Sequence, residues 1–158
     1  MRVGHGFDAH RLVPDRKLIL GGVHVPYERG TLGHSDADAL SHAVSDALLG
    51  GAALGDLGTH FPDTDARWKD ADSMSLLKQC VEMVWHAGFS IENVDATIVV
   101  QAPKLAPYLT EMRQRLSEAL GVAITHVSVK AKTSEGMGYT GDGTGVAVYA
   151  VAALTPHP

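Results

Sequence analysis

Cysteine is nearly missing from this chain. Cys80 stands alone among 158 residues, which excludes an intramolecular disulfide and leaves the fold to non-covalent packing. So little cysteine suits a reducing, cytoplasmic compartment. Long apolar runs are missing too. No stretch approaches the roughly 20 residues of a membrane span, and no basic start followed by an apolar run marks a signal peptide. Positive charge is in deficit: Lys plus Arg is 13 against 18 Asp plus Glu, a net charge of −5. That balance argues against a nucleic-acid partner held by phosphate neutralisation. Any polyphosphate ligand must therefore find cations locally. No repeat, linker or composition shift divides the chain, so residues 1–158 read as one domain, long enough for a real hydrophobic core.

Histidine, by contrast, is plentiful, with nine scattered along the chain. The first two that carry a pattern lie in Val3-Gly4-His5-Gly6-Phe7-Asp8-Ala9-His10. In a β-strand successive side chains alternate faces, so Asp8 and His10 share one face. Gly4 and Gly6 precede them there and leave it bare, open to another backbone or a ligand. A carboxylate with a neutral imidazole is a donor pair for a borderline divalent ion such as zinc. A third donor is needed, and the segment His34 to Gly51 offers it. Ser35-x-x-Asp38 reads as a capping box, Leu40, Ala43, Val44, Ala47 and Leu48 as a buried stripe, and Gly50-Gly51 as the stop. Asp38, His42 and Asp46 then fall on one polar face, with His42 as the natural third ligand and Asp46 or Asp38 placed to orient its ring. His34 precedes the helix, where free N–H groups favour anions.

Elsewhere Lys17 to Pro26 reads as a hairpin about Gly21-Gly22. The loop Gly55 to Asp65 fails the EF-hand pattern, because Met74 stands where the glutamate should be. It reads either as a plain Asx-turn loop or as a segment covering substrate. A second helix runs from Asp72-Ser73 to Ala87, with Met74, Leu77, Cys80, Val81 and Val84 as its core stripe. Cys80 is thus a small buried hydrophobe rather than a nucleophile. Asn93–Gln101 and His126–Lys132 alternate as strands, and Pro107 opens a third helix between them. Gly136 to Gly141 spells G-x-G-x-x-G, but a β-type run, Val146 to Leu154, follows instead of the helix a dinucleotide site needs. Its backbone N–H groups are still free to turn towards phosphate, and Thr133 and Glu135 flank it as a hydroxyl donor and a second metal ligand. Residues 155–158 read as frayed. The whole indicates an α+β two-layer sandwich, a mixed four-stranded sheet plus the hairpin, with helices on one face. The other face needs a cover, and self-association is one.

Five blocks carry a resemblance: GHGFDAH, GHSDADALSH, DALLGGAALGDLGTHFPDTD, VDATIVVQAPKL and KTSEGMGYTGDG. In that order, and spanning nearly the whole chain, they resemble the 2-C-methyl-D-erythritol 2,4-cyclodiphosphate synthases of the non-mevalonate isoprenoid pathway. The resemblance implies a cytoplasmic homotrimer with sheets facing inward and active sites between subunits. It implies cyclisation of 4-diphosphocytidyl-2-C-methyl-D-erythritol 2-phosphate with release of CMP, and no role with nucleic acid or membrane. It puts zinc on Asp8, His10 and His42, and a second ion, magnesium or manganese, on Glu135. It gives His34 and Thr133 the task of stabilising the transition state. Substrate would meet Asp8, His10, His34 and Ser35. Its erythritol and phosphate end would lie along Asp56, Leu57, Gly58, Phe61, Pro62, Asp63, Thr64 and Asp65. Its cytidine would meet Val100, Gln101, Ala102, Pro103, Lys104, Leu105 and Ala106, together with Lys132, Thr133, Ser134 and Glu135. Tyr139 and Asp142 complete the set. Three positions depart from the family's habit. Asp142 replaces a basic residue associated with the mouth of an axial cavity for isoprenoid diphosphates, and that reversed charge argues against such binding here; Thr144 replaces an acidic residue. Lys132 replaces a hydroxyl residue and adds a phosphate contact.

Two other readings fit the metal ligands alone. A zinc phosphoesterase would consume water and release a linear product. A structural zinc module would leave no open coordination position.

Overall fold

The path of the chain explains how its first strand meets its first long helix. A computed structural model describes residues 1–158. Strand β1 (Arg2–Pro14) opens it, followed by the hairpin β2 (Leu18–Leu20) and β3 (Val23–Val25), then the short β4 (Arg29–Thr31). Helix α1 (Ala39–Gly51) and a single turn, α2 (Leu57–His60), precede the long α3 (Ser73–His86). Strand β5 (Phe89–Val99), helix α4 (Leu109–Leu120), strand β6 (Val127–Lys132), another single turn, α5 (Gly138–Gly141), and strand β7 (Gly145–Pro156) complete it.

The main sheet has the order β4-β1-β7-β5-β6, with only the β5–β6 pair parallel. The four long strands are those expected, and three-residue β4 extends the edge beside β1. The hairpin turns at Gly21-Gly22, both at positive φ. Helices α1, α3 and α4 cover one face over a core that includes Leu40, Leu48, Leu77, Ile98, Met112 and Leu116.

Glycine decides the contact that builds the site. A Cβ on Gly4 would stand 1.8 Å from the carbonyl oxygen of Ala47, and one on Gly6 1.9 Å from that of Ala43. The bare face of β1 is therefore filled by the backbone of α1 itself. Because Asp8 and His10 continue that face, the polar residue next to Ala43 on α1, His42, is brought onto them.

Three local expectations change. Ser35 does not cap α1. Asp38 does, and its buried carboxylate accepts from Ser41 N at 3.0 Å, Ser41 Oγ at 2.8 Å, Gly21 N at 2.8 Å and Gly22 N at 2.7 Å. One side chain thus ties the hairpin turn to the helix start. Burial pushes this carboxyl above its usual range, against the pull of those four bonds. In α3, Leu76 joins Leu77, Cys80 and Val84 inside, while Met74 and Val81 are only half-buried. The C-terminus is not frayed. Thr155 and Pro156 pair with Ser90 and Phe89, His157 N donates to Gly88 O at 3.0 Å, and the His157 ring stacks on Trp85 at 3.8 Å. Cys80 is fully buried, and burial pushes its thiol up to about 11, in keeping with a core role.

Candidate metal centre

Asp8 and His10 on β1 and His42 on α1 bring their ligand atoms within 4.8 Å of one another. Asp8 Oδ2 lies 2.8 Å from His10 Nε2 and 3.1 Å from His42 Nδ1. The far side of each ring is already engaged. His10 Nδ1 donates to the Leu32 carbonyl at 2.9 Å, and His42 Nε2 meets Ser73 Oγ at 2.8 Å. In the neutral rings this leaves lone pairs on His10 Nε2 and His42 Nδ1, both facing a carboxylate oxygen. His10 Nε2 is buried and makes no hydrogen bond of good geometry despite its closeness to Asp8. Three facing acceptors need a shared positive charge, either a proton or a cation, and one carboxylate with two imidazoles is a fitting donor set for a divalent metal.

In the metal-free chain the surroundings favour a proton there. Burial pulls His10 down, but its closeness to and attraction by Asp8 outweigh this and leave its pKa raised. Burial likewise pushes Asp8 up, and its contacts with His10 and His42 reverse this, so its pKa ends lowered.

Neither Asp38 nor Asp46 orients His42. Asp38 is spent on the helix cap. Asp46 Oδ1 accepts from Leu57 N at 2.7 Å, which fixes the start of α2, and burial raises its pKa. Ser73, at the first turn of α3, does what was expected of them. Nothing in the sequence flagged it, because a serine after Asp72 reads simply as a helix start.

A cavity of about 240 Å³ opens beside the triad, lined by His10, His42, His34, Ser35, Leu57, Phe61 and Asp63 among others. Its walls are held by backbone bonds. Arg16 donates to the carbonyls of Thr31, Gly33 and Ser35. The His34 carbonyl accepts from Asp70 N at 2.9 Å, Asp36 N donates to Ala71 O at 3.1 Å, and His34 Nε2 sits 3.2 Å from Asp65 O. The loop after α2 takes the Asx-turn form that the sequence allowed, and it also borders the cavity. Asp56 and Asp65 make Asx-type caps, onto Thr59 and Arg67, and the same loop forms a cavity wall. Within it Asp56, Gly58, Pro62, Thr64 and Asp65 do not line the cavity, whereas Leu57, Phe61 and Asp63 do.

The remaining expected residues gather elsewhere. Val100, Gln101, Pro103, Lys104, Leu105, Ala106, Lys132 and Thr133 line a separate cavity of about 210 Å³, at the ends of β5 and β6. Ala102 lies in the same loop. No lining residue is shared with the cavity beside the triad. Ser134 Oγ closes the glycine-rich loop by bonding to Met137 O and Thr140 Oγ1. Glu135 is exposed and held at a φ of 53°, a strained setting for a non-glycine residue. Tyr139 and Thr144 face His10 and Arg11 across a third hollow of about 330 Å³. Asp142 Oδ1 accepts from Thr144 N at 2.9 Å and Thr144 Oγ1 at 2.6 Å. Two of the three departures from the family's habit, Asp142 and Thr144, thus bond to each other.

The sequence model of the YgbB family matches residues 1–155. A protein of Salinibacter ruber named 2-C-methyl-D-erythritol 2,4-cyclodiphosphate synthase is 59% identical over 154 residues, 98% of each chain. One of the same name from Trichlorobacter lovleyi is 54% identical over 157 residues, 99% of this chain and 100% of its own. A solved structure of a synthase of that name, in a CDP-bound form, superposes with a TM-score of 0.90 at 36% identity, covering 98% of this chain and all of its own.

Proposed function

The chain belongs to the YgbB family, and from that premise we propose how it works. It converts 4-diphosphocytidyl-2-C-methyl-D-erythritol 2-phosphate to 2-C-methyl-D-erythritol 2,4-cyclodiphosphate and CMP. It is a metal-dependent phosphorus–oxygen lyase of isoprenoid biosynthesis. The observation that carries the mechanism is the convergence of Asp8, His10 and His42 at the edge of a cavity.

The reaction forms one P–O bond and breaks another. An oxygen of the 2-phosphate attacks the β-phosphorus in line, and the electron pair of the broken β-phosphorus bond leaves on the α-phosphate of CMP. The substrate carries its own nucleophile, so no side chain attacks. The obstacle is charge: two anions must approach, and unit charges about 4 Å apart repel by roughly 4 kcal/mol at an effective dielectric near 20. A divalent cation at the triad, zinc by its donor set, supplies a Lewis acid for phosphate oxygens.

The chain's own residues do the rest. Asp8, His10 and His42 would hold the ion, and the cavity opens beside them for substrate. His34 and Ser35, pinned through Arg16, present polar groups to the phosphates. Leu57, Phe61 and Asp63 hold the erythritol end. The cavity at the ends of β5 and β6 takes the cytidine, with Lys104 and Lys132 facing its phosphates. Thr133 donates to the transition state, and Glu135 would hold a second cation, magnesium or manganese. Positioning and charge stabilisation are what phosphoryl transfer asks of a protein.

Residues 1–158 act as one domain within a homotrimer whose sites lie between subunits. Two features support this. The triad and the cytidine cavity occupy separate hollows of one chain. The helix-free face of the sheet exposes Val3, Phe7, Tyr149 and Val151, with Phe7 directly opposite Tyr149, and apolar area on that scale is normally covered.

Phosphorus NMR of the substrate tests the reaction. CMP and a cyclic diphosphate are expected, and a chelator should stop both. A linear monophosphate product would mean hydrolysis instead. Sedimentation should give a trimer, and a monomer at micromolar concentration would remove the shared site.

A further inference from the structure

Behind the metal triad runs a chain of hydrogen bonds that leaves the site and ends on a carboxylate. His42 Nε2 lies 2.8 Å from Ser73 Oγ. Ser73 Oγ in turn makes a short bond to Asp36 Oδ1, and Ser73 N donates to Asp36 Oδ2 at 3.1 Å. Asp36 Oδ1 also accepts from Asp38 N at 3.2 Å, so both its oxygens are oriented by backbone.

The proton count on the Ser73 side of His42 has one solution, while on the other side Nδ1 lies 3.1 Å from Asp8 Oδ2, a contact that a shared proton or cation satisfies. An ionised carboxylate only accepts, so the single hydroxyl proton of Ser73 goes to Asp36. Ser73 Oγ is then left as an acceptor, and His42 must donate from Nε2. A neutral imidazole with its proton on Nε2 has its lone pair on Nδ1, the atom that faces Asp8 and the ion. Ser73 is 1% exposed, so no bulk water competes for this bond. Ser35 Oγ, 3.3 Å from His42 Nε2, is a longer second partner and itself accepts from Ala37 N.

We propose that Asp36 and Ser73 are positioning residues that fix the Nε2–H tautomer of His42 and so set the affinity of the triad for a divalent cation. Neither touches substrate or reacting atoms. Their effect passes through His42: a ring already in the ligating tautomer binds without first moving a proton, and its donor strength rises because Nε2–H is hydrogen-bonded. The inference deepens the metal reading of the triad and rests on it.

Two measurements on the full-length protein test it, neither of them turnover. First, long-range proton–nitrogen NMR of His42 in the metal-free chain, above the pH at which the imidazoles lose their extra proton, should show the Nε2–H pattern. A predominant Nδ1–H form would overturn the proposal without any variant. Second, zinc affinity is read by competition with a chromophoric chelator. Ser73→Ala should weaken it by about 10- to 100-fold, and Asp36→Asn in the same direction, since outer partners of a ligating histidine carry effects of that size. In Ser73→Ala the His42 signals should shift towards the Nδ1–H form, donating to Asp8. A role confined to starting α3 would lower the melting temperature of the metal-free variant and leave the tautomer and zinc affinity unmoved, which also overturns the proposal. Failure of the unaltered chain to bind zinc would instead remove the metal reading, and this inference with it.

Discussion

The triad end of β1 and the glycine-rich loop after β6 lie at the same end of one sheet, but they are built to different standards. His10 pairs with Val146, and the neighbouring Ala147 pairs with Val99, so only β7 separates the metal ligands from the strands that carry the cytidine cavity. The three candidate ligands are part-buried, and both histidines are held at the far side of the ring by the chain's own groups, Leu32 O for His10 and Ser73 Oγ for His42. Thr133 and Glu135 are exposed, and no bond holds the Glu135 carboxylate, although Ser134 between them ties the loop to Met137 and Thr140. One region is finished within a single chain. The other is left open, as the proposed sharing of sites between subunits requires.

Breaking the finished half should have the largest effect. His42→Ala or Asp8→Asn removes a ligand outright, so turnover should fall by more than the roughly 100-fold that outer partners command, with zinc lost in step. Circular dichroism should stay native, because the core that holds α1 on the sheet does not involve these side chains. Unfolding on ligand loss would mean that the ion holds the fold rather than the substrate.

Complementation sharpens the comparison directly. His42→Ala and a Thr133→Ala/Glu135→Ala variant should each be nearly inactive alone. Co-expressed in equal amounts, they should recover about a quarter of wild-type activity, because random assembly pairs an intact metal half with an intact nucleotide half at that fraction of interfaces. Sites contained within one chain would recover nothing.

The contact of α1 on β1 can be broken from the strand side. Gly6→Ala places a methyl carbon 1.9 Å from the Ala43 carbonyl, and that atom is helix backbone that cannot swing aside. The cost should reach or exceed the roughly 1–3 kcal/mol of ordinary overpacking. Zinc affinity should fall with it, since the same displacement carries His42 away from Asp8. Denaturant titration and zinc competition on one sample read both effects. A stability loss with affinity unchanged would show that the ligands rest on something other than this contact.

How much of this was legible in the sequence follows the same division. Period-two alternation and the bare glycines put Asp8 and His10 on one face, and helical spacing picked His42, because these relations are set by backbone geometry within one element. The partners of His42 were misassigned to Asp38 and Asp46 for the same reason: spacing sees neighbours on a helix and is blind to a residue 31 positions away on another. Asp38 followed a tertiary demand, two free N–H groups at the Gly21-Gly22 turn, that no local rule contains. The order of terminal residues was missed likewise, since the stacking of His157 on Trp85 joins distant positions. Thr133 and Glu135 were legible as a hydroxyl donor and a ligand beside the glycine-rich loop, but the cytidine pocket came from family resemblance alone, and a single chain leaves all of these apart from the triad.

The smallest expected effect concerns the proton that stands in for the ion. In the metal-free chain the pKa of His10 is raised and that of Asp8 lowered, each chiefly through the other once burial is overcome. The His10 contribution to stability is fully present below its unfolded pKa, near 6.5, and is lost as pH rises through the raised folded value. The Asp8 contribution is present above 3.8 and is lost as pH falls through its lowered value. The metal-free protein should therefore be stabilised by this pair between those limits, and should weaken on the alkaline side. Zinc reverses the alkaline half. Neutral imidazoles are what a cation binds, so in its presence stability should rise with pH across the interval in which the metal-free chain loses it. Urea midpoints measured from about pH 5 to about pH 8, with chelator and with zinc, should diverge as pH increases. Parallel curves would mean that proton and cation do not compete for one place, and that Asp8, His10 and His42 do not share a single charge.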